Sequence, residues 1–497
     1  MSKSAAHPPK SLHPDPVAPI NQAARAQQVR TLFRQGSISL SKGDTRGALK
    51  MLSRACMLAP QEPRIQCNLG LALQAIGDHE KAIQCLQSAI QIDPSYELAR
   101  ANLASVLETC NRNDEAKAHA IKVLEINPKN TLALLVLAEL ERRENKLESA
   151  HIRLNTLLTE CGSLRPEFRA WTLLERGMVR DKLGRCSEAF ADFVEGKQIL
   201  FRLPNVAAID HDRFPKLLAM VHQTMPALHV DRWPIKPPSS TSRTPIFLVG
   251  FPRSGTTLAE QIIGCHSHIQ GTDEAPLLPN TIGAMTQLTG KPYDPARLTE
   301  LSDEQIRRLR TFYWAQADQL VEPSPTDAGM LLDKLPLNMV HLPFIRRVFP
   351  DAKIIVALRD PRDCCLSTLM QRFKPDEAMV HFHHLASSAN IYSQVMRIWL
   401  HARHWPGLQH FTLRYESLVT EPESLLRALC QFLELDWEPA LLNHQRSAHG
   451  KRISTPSHQD VATPIFTRAV RRWEGYQSEM APILPILQPF VDAFEYR

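Results

Sequence analysis

Apolar and small residues recur along the first 200 residues with a spacing that fits paired helices. A glycine or asparagine returns every 34 residues, an alanine follows each of them five positions later, and a proline recurs at the same period. These positions are Gly43, Gly77, Asn111 and Asn145; Ala48, Ala82, Ala116 and Ala150; and Pro60, Pro94 and Pro128. A further pair, Gly184 and Ala189, follows after a short insertion. Spacing of this kind predicts an array of structural repeats.

Each repeat predicts a helical hairpin. Glycine or asparagine accommodates the positive φ of the turn, the alanine lets the two helices cross closely, and the proline ends the second helix. The pattern resembles the tetratricopeptide repeat family over residues 28–202, and this resemblance implies an all-α solenoid of about five repeats that binds a protein or peptide ligand. The alternative is that the repeats only dimerise the chain or support the neighbouring domain. Residues 1–27 are expected to be disordered.

The pattern changes after residue 202. One helix is expected near residues 214–225, and the proline- and serine-rich run at 233–242 predicts a linker, so residues 203–244 are taken as a connecting segment. Short apolar runs then appear, Ile246 to Gly250 and Lys353 to Leu358, each followed by a helical pattern. Strands that alternate with helices predict a parallel sheet covered on both faces. We therefore expect an α + α/β chain, with the α/β domain over residues 245–497.

The turn after the first apolar run has the composition of an anion site. In the stretch from Gly250 to Thr257 an apolar strand enters a glycine-containing turn and a helix follows, which directs backbone N–H groups and the positive helix end at one point. Arg253 adds a forked cation, and neighbouring hydroxyls add donors. The stretch therefore predicts a site for a phosphate or sulfate group. Thr256 stands where nucleotide hydrolases carry the lysine of G-x-x-x-x-G-K-[ST], which disfavours a kinase or ATPase.

This loop and a second motif resemble the sulfotransferase superfamily. The run Pro252 to Thr257 resembles its 5′-phosphosulfate loop, in the arginine form of tyrosylprotein sulfotransferases and bacterial repeat-containing sulfotransferases. Arg359, at the end of an apolar strand, and Ser367, eight residues later, resemble the pair that contacts the 3′-phosphate of the donor. The resemblance implies a P-loop-like sheet and 3′-phosphoadenosine 5′-phosphosulfate as co-substrate. The residues that it places at the 5′ end of the donor are Arg253, Ser254, Gly255, Thr256 and Thr257.

The same resemblance implies the residues of the transfer step. Glu274, 21 residues after Arg253, matches the general base of the tyrosylprotein enzymes, with the adjacent Asp273 as the alternative. Lys334 matches the lysine near the bridging oxygen, and Arg253 completes the catalytic set. Arg452 loosely matches a late basic loop that contacts the nucleotide.

The implied reaction is sulfuryl transfer to an acceptor hydroxyl, for which the motif context favours a protein tyrosine. A small-molecule or glycan acceptor is an alternative. A second alternative, from another class of protein, is a repeat scaffold whose nucleotide-binding domain is inactive.

Composition excludes several other classes. The net charge is +6, from 58 basic and 52 acidic residues that are spread along the chain, so no nucleic-acid partner is expected. No secretory signal and no apolar stretch of about 18 residues is present, so no membrane partner is expected. Ten cysteines without a CxxC pair predict reduced thiols and a cytoplasmic location. The histidines lack companions at ligand spacing, so no metal is expected; those considered are His381, His383, His384, His401 and His404.

Overall fold

The computed structural model describes residues 22–160, 164–238, 243–320, 329–443 and 468–496. The chain divides into two compact units, Met1–Pro128 and Lys129–Arg497. The N-terminal unit contains three consecutive helix pairs among its described residues. Their helices are α1 Gln22–Ser41, α2 Thr45–Leu58, α3 Pro63–Ile76, α4 His79–Ile92, α5 Glu97–Thr109 and α6 Asn113–Ile126.

The turns between paired helices confirm the predicted hairpins. Gly43, Gly77 and Gly184 have φ values of 79°, 82° and 75°, and Asn111 and Asn145 have φ values of 58° and 59°. These angles lie in the left-handed region that glycine and asparagine adopt at the lowest cost. The alanine five residues after each of these turns is fully buried. The repeated residue types therefore have the backbone and packing roles that their spacing predicted.

The first helix begins earlier than the sequence predicted. Helix α1 starts at Gln22, so residues 22–27 are helical, whereas they had been assigned to a disordered segment. Arg25 of this first turn donates a hydrogen bond from Nη2 to the carbonyl of Leu58, at 2.7 Å. The prediction failed because this turn is polar and exposed, so no apolar period marks it. Residues 1–21 lie outside the described part of the chain.

The second unit begins with two further helix pairs, which belong to the same compact unit as the α/β domain. Leu174 and Phe193, from these pairs, share one hydrophobic core with Phe251 and Cys365 of the α/β domain. The compact boundary therefore lies at residue 128, inside the repeat array, whereas the boundary at residue 202 divides the repeats from the connecting segment by sequence pattern and stays a prediction. The helices of this part are α7 Thr131–Arg143, α8 Leu147–Glu160, α9 Pro166–Lys182, α10 Cys186–Phe201, α11 Pro204–Ala207 and α12 Arg213–Thr224.

The α/β domain is built on a five-stranded parallel sheet in the order β2-β3-β1-β4-β5. The strands are β1 Ile246–Gly250, β2 Ile269–Gly271, β3 Met330–Lys334, β4 Lys353–Leu358 and β5 Gln409–Arg414. The helices are α13 Thr256–Ile263, α14 Leu277–Thr289, α15 Asp303–Ala317, α16 Leu342–Val348, α17 Pro361–Met370, α18 Leu385–Ala402, α19 Tyr415–Thr420, α20 Pro422–Leu433, α21 Gln477–Met480 and α22 Leu484–Ala493. From β1 the chain passes to β2 at one edge of the sheet, returns to β3 beside β1, and then crosses to β4 and β5 on the other side of β1. The crevice between the ends of β1 and β4 is the point where such sheets bind ligands.

Alternate residues of the central strands enter two different cores. In β1, Phe247 and Val249 join the core that also includes the last repeat, whereas Ile246 and Leu248 join a second core with helices α13 and α20. This alternation follows from the two-residue period of a strand. All five residues of β1 are buried, as expected for a sheet with helices on both faces.

Part of the predicted linker is packed onto the α/β domain. Trp233 is buried, and the guanidinium of Arg346 on α16 donates to the carbonyl of Pro234 at 2.9 Å and to that of Pro406 at 3.1 Å. A proline-rich composition therefore did not identify a solvated spacer here, because the carbonyl groups of the run satisfy a buried cation. Residues 239–242 lie outside the described part.

Two further structural facts concern membrane crossing and cysteines. Within the described ranges, every helix is too short or too polar to span a bilayer. No disulfide joins the cysteines for which the structure gives positions.

A buried lysine connects the last repeat to the α/β domain. Lys197 on α10 is 2% exposed and donates from Nζ to the carbonyl of Thr368, at the end of α17, at 3.0 Å. The Phe373 ring lies 5.3 Å from the same nitrogen. Burial lowers the pKa of Lys197 to about 7, because a buried ammonium loses its hydration.

This lysine predicts a pH-dependent stability. Above pH 7 the folded chain loses the Lys197 proton, whereas the unfolded chain keeps this proton up to the ordinary lysine pKa of about 10.4. The free energy of unfolding therefore rises with pH, by up to about 1.4 kcal/mol per pH unit. We expect Lys197→Met to remove this rise between pH 7 and 10, as measured by urea unfolding at each pH. Lys216→Met, at an exposed lysine, is the control. If the free energy of unfolding changes with pH in the same way in Lys197→Met and in the unsubstituted chain, Lys197 is not the group with the lowered pKa.

Candidate functional site

The loop between β1 and α13 requires glycine at both ends. A Cβ at Gly250 would lie 2.7 Å from the Ala357 carbonyl oxygen, and one at Gly255 would lie 2.6 Å from Cδ2 of Tyr415. Gly255 has a φ of 95°, and Arg253 also has a positive φ, of 73°. The chain turns sharply here so that α13 starts at Thr256, with its N–H groups at the edge of the sheet.

The hydroxyl groups of this loop are buried. Ser254, Thr256 and Thr257 are between 2% and 6% exposed. Among the described residues, Ser254 Oγ has no hydrogen-bond partner. A buried hydroxyl without a partner costs free energy, so its position favours binding of a further polar group at the loop.

The structure brings the two predicted anion motifs together. Arg253 donates from Nε to Ser367 Oγ at 3.0 Å, and Arg359 donates from Nη1 to the Arg253 carbonyl at 3.1 Å. The sequence had assigned Arg253 to the 5′ end of the donor and Ser367 to the 3′ end. In the structure these two side chains are in contact, so the motifs form one continuous site at the crevice between β1 and β4.

Arg359 is the most enclosed cation of this site. It follows β4, is 6% exposed, and donates from Nη2 to the Ala469 carbonyl at 2.6 Å. Its guanidinium carbon lies 4.8 Å from the centre of the Tyr415 ring. Within the described part of the chain, its Nε has no hydrogen-bond partner. A buried guanidinium whose Nε–H has no partner among the described residues is suited to a phosphate or sulfate oxygen.

On the other side of the loop, Lys334 holds two carboxylates. Lys334 ends β3 and is fully buried, and its Nζ lies 2.8 Å from Glu274 Oε1 and 3.1 Å from Glu260 Oε2. The side chain of Glu274 is 31% exposed, whereas that of Glu260 is 4% exposed. Glu274 is therefore the carboxylate that a molecule from solvent can reach. Asp273, the alternative base, instead donates its backbone N–H to Glu260 Oε1 at 3.0 Å.

Burial and charge shift the pKa values of this group. Burial raises the pKa of Glu260 to about 7, although the Lys334 ammonium acts in the opposite direction. Burial alone would lower the pKa of Lys334, but the carboxylates of Glu260 and Glu274 raise it above its ordinary value. Lys334 therefore stays protonated at neutral pH and provides a fixed positive charge at the edge of the sheet.

The backbone near Glu274 is held in an unusual conformation. Asp273 and Glu274 have φ values of 46° and 63°, both in the left-handed region. The backbone N–H of Lys334 donates to Thr272 Oγ1 at 3.3 Å, which ties this turn to β3. Residues strained in this way persist only where surrounding contacts hold them, and they concentrate at functional sites.

Sequence reasoning missed three residues of the site. The sequence indicates only that Glu260 belongs to the helix after the loop. It lies one turn after Thr256 on that helix, and a buried acid at such a position indicates a cation nearby. Asp363 on α17 is 1% exposed, and burial raises its pKa to about 6 although Arg359 opposes the shift. Tyr415 gave no signal, because only the pairing of β5 with β4 brings it to Arg359.

Two remaining expectations concern Arg452 and metal ions. Arg452 lies outside the described residues. Among the described histidines, cysteines and acids, His266, His268 and Glu438 have ligand atoms within 4.8 Å of one another. His266 and His268 precede the start of β2, and Glu438, which follows α20, accepts a hydrogen bond from the Ser267 N–H at 2.9 Å. These side chains connect two loops and take no part in the site at the crevice.

Comparison with known proteins gives matches in both parts of the chain. Residues 245–439 match the family model described as "Sulfotransferase family", and residues 63–96 and 99–130 match models described as "Tetratricopeptide repeat". An uncharacterized protein of Aquifex aeolicus is 27% identical over 71% of this chain, which corresponds to 46% of the Aquifex protein. The chain thus spans about half the length of that relative.

Other relatives are named for their activity. Protein-tyrosine sulfotransferase 1 of Danio rerio is 26% identical over 49% of this chain and 70% of its own length. The sulfotransferase domain of the Synechococcus PCC 7002 olefin synthase is 20% identical, with a TM-score of 0.36, over 52% of this chain and 98% of that domain.

The loop geometry gives a testable prediction. We expect Gly255→Ala to destabilise the chain by at least about 1–2 kcal/mol, because a left-handed φ is costly with a Cβ and the added atom would contact Tyr415. The measurement is urea unfolding. The matched control is Gly283→Ala in α14, where nothing lies within 4 Å of an added Cβ and a helical alanine gains up to about 1 kcal/mol. Equal stabilities for the two variants would contradict the required turn.

Proposed function

Because the chain carries a sulfotransferase-family domain together with tetratricopeptide repeats, we propose that it transfers a sulfuryl group from 3′-phosphoadenosine 5′-phosphosulfate to an acceptor hydroxyl. The observation that carries the proposal is the pairing of one base and one cation beside an anion loop. Glu274 and Lys334 are 2.8 Å apart on one side of the loop, and Arg359 contacts its other side.

The described residues fit a donor with phosphate groups at both ends. The N–H groups at the start of α13 and the hydroxyls of Ser254, Thr256 and Thr257 would hold the 5′ phosphosulfate. Arg359 and Ser367 would hold the 3′-phosphate. The fit rests on two buried polar atoms that have no partner among the described residues, Ser254 Oγ and Arg359 Nε. These atoms lie in the two motifs that would contact opposite ends of the donor.

The transfer step assigns one role to each residue. The acceptor oxygen forms a bond to sulfur while the bond between sulfur and the bridging oxygen breaks. The acceptor proton passes to Glu274, and negative charge develops on the leaving phosphate. Lys334, already charged and buried, stabilises that charge without reorganisation. Its contact with Glu274 uses Oε1, so Oε2 is the oxygen that would accept the proton.

A protein tyrosine is the acceptor that we propose. The support is the similarity to proteins named protein-tyrosine sulfotransferase in zebrafish, fly and human, at 25–26% identity. The repeats would present the protein substrate or a partner protein, as such arrays do elsewhere. A small-molecule or glycan acceptor is the alternative within the same chemistry. The cytoplasmic location stays a prediction, and dimerisation through the repeats stays an alternative.

Two proposals from other classes make different predictions for ligand binding. A phosphoryl-transfer enzyme would prefer ATP, whereas a sulfotransferase would prefer its product, adenosine 3′,5′-bisphosphate. Competition between these two nucleotides on the whole chain separates them. An inactive scaffold would bind the bisphosphate but would show no turnover with labelled donor, and mass spectrometry of peptide and metabolite pools would identify the acceptor.

The base assignment predicts a loss of turnover without a loss of donor binding. We expect Glu274→Gln to lower the rate of sulfuryl transfer by about 10²–10⁴-fold, because an amide cannot accept the proton. Affinity for adenosine 3′,5′-bisphosphate should change by less than about threefold, since Glu274 contacts the acceptor side. Rates come from labelled-donor assays and affinities from calorimetry.

The matched control for this variant is Glu423→Gln, at an exposed glutamate of α20 that pairs only locally with Arg427. It should retain the unsubstituted rate. A Glu274→Gln enzyme that keeps full turnover would exclude Glu274 as the base.

The 3′-phosphate assignment predicts a change in nucleotide preference. We expect Arg359→Ala and Ser367→Ala to weaken binding of adenosine 3′,5′-bisphosphate while leaving binding of adenosine 5′-monophosphate nearly unchanged. The expected loss is about tenfold or more for Arg359, because its hydrogen bonds carry a charge, and smaller for Ser367. Calorimetry with both nucleotides measures the ratio. An equal loss of affinity for both nucleotides would mean that the 3′-phosphate does not bind at Arg359 and Ser367.

A further inference from the structure

A buried carboxylate near the end of the first helix of the last repeat binds the C-terminal part of the chain. Asp181 lies at the end of α9, and its side chain is 5% exposed. It accepts hydrogen bonds from Arg468 Nη2 at 2.9 Å, from Arg472 Nε at 3.0 Å and from the Tyr476 hydroxyl at 2.7 Å. All three donors belong to residues 468–476, which we call the anchor segment.

This carboxylate is ionised in the folded chain. Burial would raise the pKa of Asp181, but Arg472, Tyr476 and Arg468 together hold it below its ordinary value. A buried carboxylate with three donors is a specific contact, because removal of its charge leaves two arginines facing a neutral group.

The opposite side of the anchor segment contacts the proposed nucleotide site. Asp363 accepts the backbone N–H groups of Arg471 and Trp473, at 2.8 Å and 2.9 Å. The Ala469 carbonyl accepts a hydrogen bond from Arg359 Nη2 at 2.6 Å. The segment therefore lies between the repeat carboxylate and the cation that would bind the 3′-phosphate.

We infer that Asp181 is a positioning residue for this nucleotide site, acting through the anchor segment on Arg359. The role in nucleotide binding rests on the proposed function. Two backbone carbonyls accept hydrogen bonds from the guanidinium of Arg359 and orient it. One is the carbonyl of Arg253 on the loop, and the other is the carbonyl of Ala469 on the anchor segment. Asp181 fixes the second of them, so the last repeat forms part of the support of the donor site.

Asp181→Asn in the full chain tests this inference. The expected result is a decrease of about tenfold in the preference for adenosine 3′,5′-bisphosphate over adenosine 5′-monophosphate, because Arg359 loses its fixed orientation. The affinity for the monophosphate and kcat at saturating donor should stay close to the unsubstituted values. Asp181→Glu, which keeps the charge, should restore part of the preference.

Asp192→Asn is the matched control. Asp192 is also a buried aspartate of the last repeat, and it accepts hydrogen bonds from Arg176 at 2.9 Å and Arg180 at 2.8 Å. These contacts stay within the repeat. The control should lose stability to a similar extent but keep the nucleotide preference. If both variants change the preference equally, Asp181 acts only on stability and the inference is overturned.

Hydrogen exchange separates this inference from the proposed function. The amide hydrogens of Arg471 and Trp473, measured without nucleotide, should exchange faster in Asp181→Asn than in Asp192→Asn. Faster exchange in a chain that shows no preference for the bisphosphate would support the anchoring while refuting the proposed donor. Unchanged exchange would overturn the inference whatever the nucleotide results. Tyr476→Phe, which removes one hydrogen bond, should show the same changes to a smaller degree and serves if Asp181→Asn does not fold.

Discussion

The site depends on the buried guanidinium of Arg359. Its donors reach the loop carbonyl of Arg253 and the carbonyl of Ala469, and its face lies against the ring of Tyr415. A single side chain therefore connects β4 with the loop after β1, the end of β5 and the C-terminal part of the chain. Arginine is suited to this role because its planar fork has five donors and keeps its charge when buried. This cation is thus a contact that all of these elements share.

The parallel sheet explains why the Glu274–Lys334 pair and the Arg359 guanidinium lie close together. All five strands end at the same edge, so the residues that follow each strand meet there. The order β2-β3-β1-β4-β5 puts Glu274 and Lys334 on one side of the loop and Arg359 on the other. In the proposed reaction, acceptor activation and nucleotide binding would therefore use residues that follow different strands. Glu260, on the helix that the loop begins, pairs with Lys334 and connects the two sides.

The last repeat is structurally part of the α/β domain. It shares the hydrophobic core of that domain, and it contributes the buried Lys197 and the carboxylate of Asp181. Neither polar contact would exist if this repeat were a separate module, because each side chain requires a partner on the α/β domain to offset its burial. The first three repeats form their own compact unit.

The sequence by itself determined the features that depend on local backbone chemistry. Glycine and asparagine at a 34-residue period predicted the helical hairpins, the apolar runs predicted β1 and β4, and the glycine-containing loop predicted the turn between β1 and α13. Only the tertiary structure decided which distant residues meet. The pairing of Lys334 with Glu260, the contact of Arg253 with Ser367 and the boundary at residue 128 all join positions that lie far apart in the chain or depend on packing between domains. The physical reason is that spacing along a chain specifies turns and periodic faces, whereas a buried charge finds its partner through the folded arrangement of the elements.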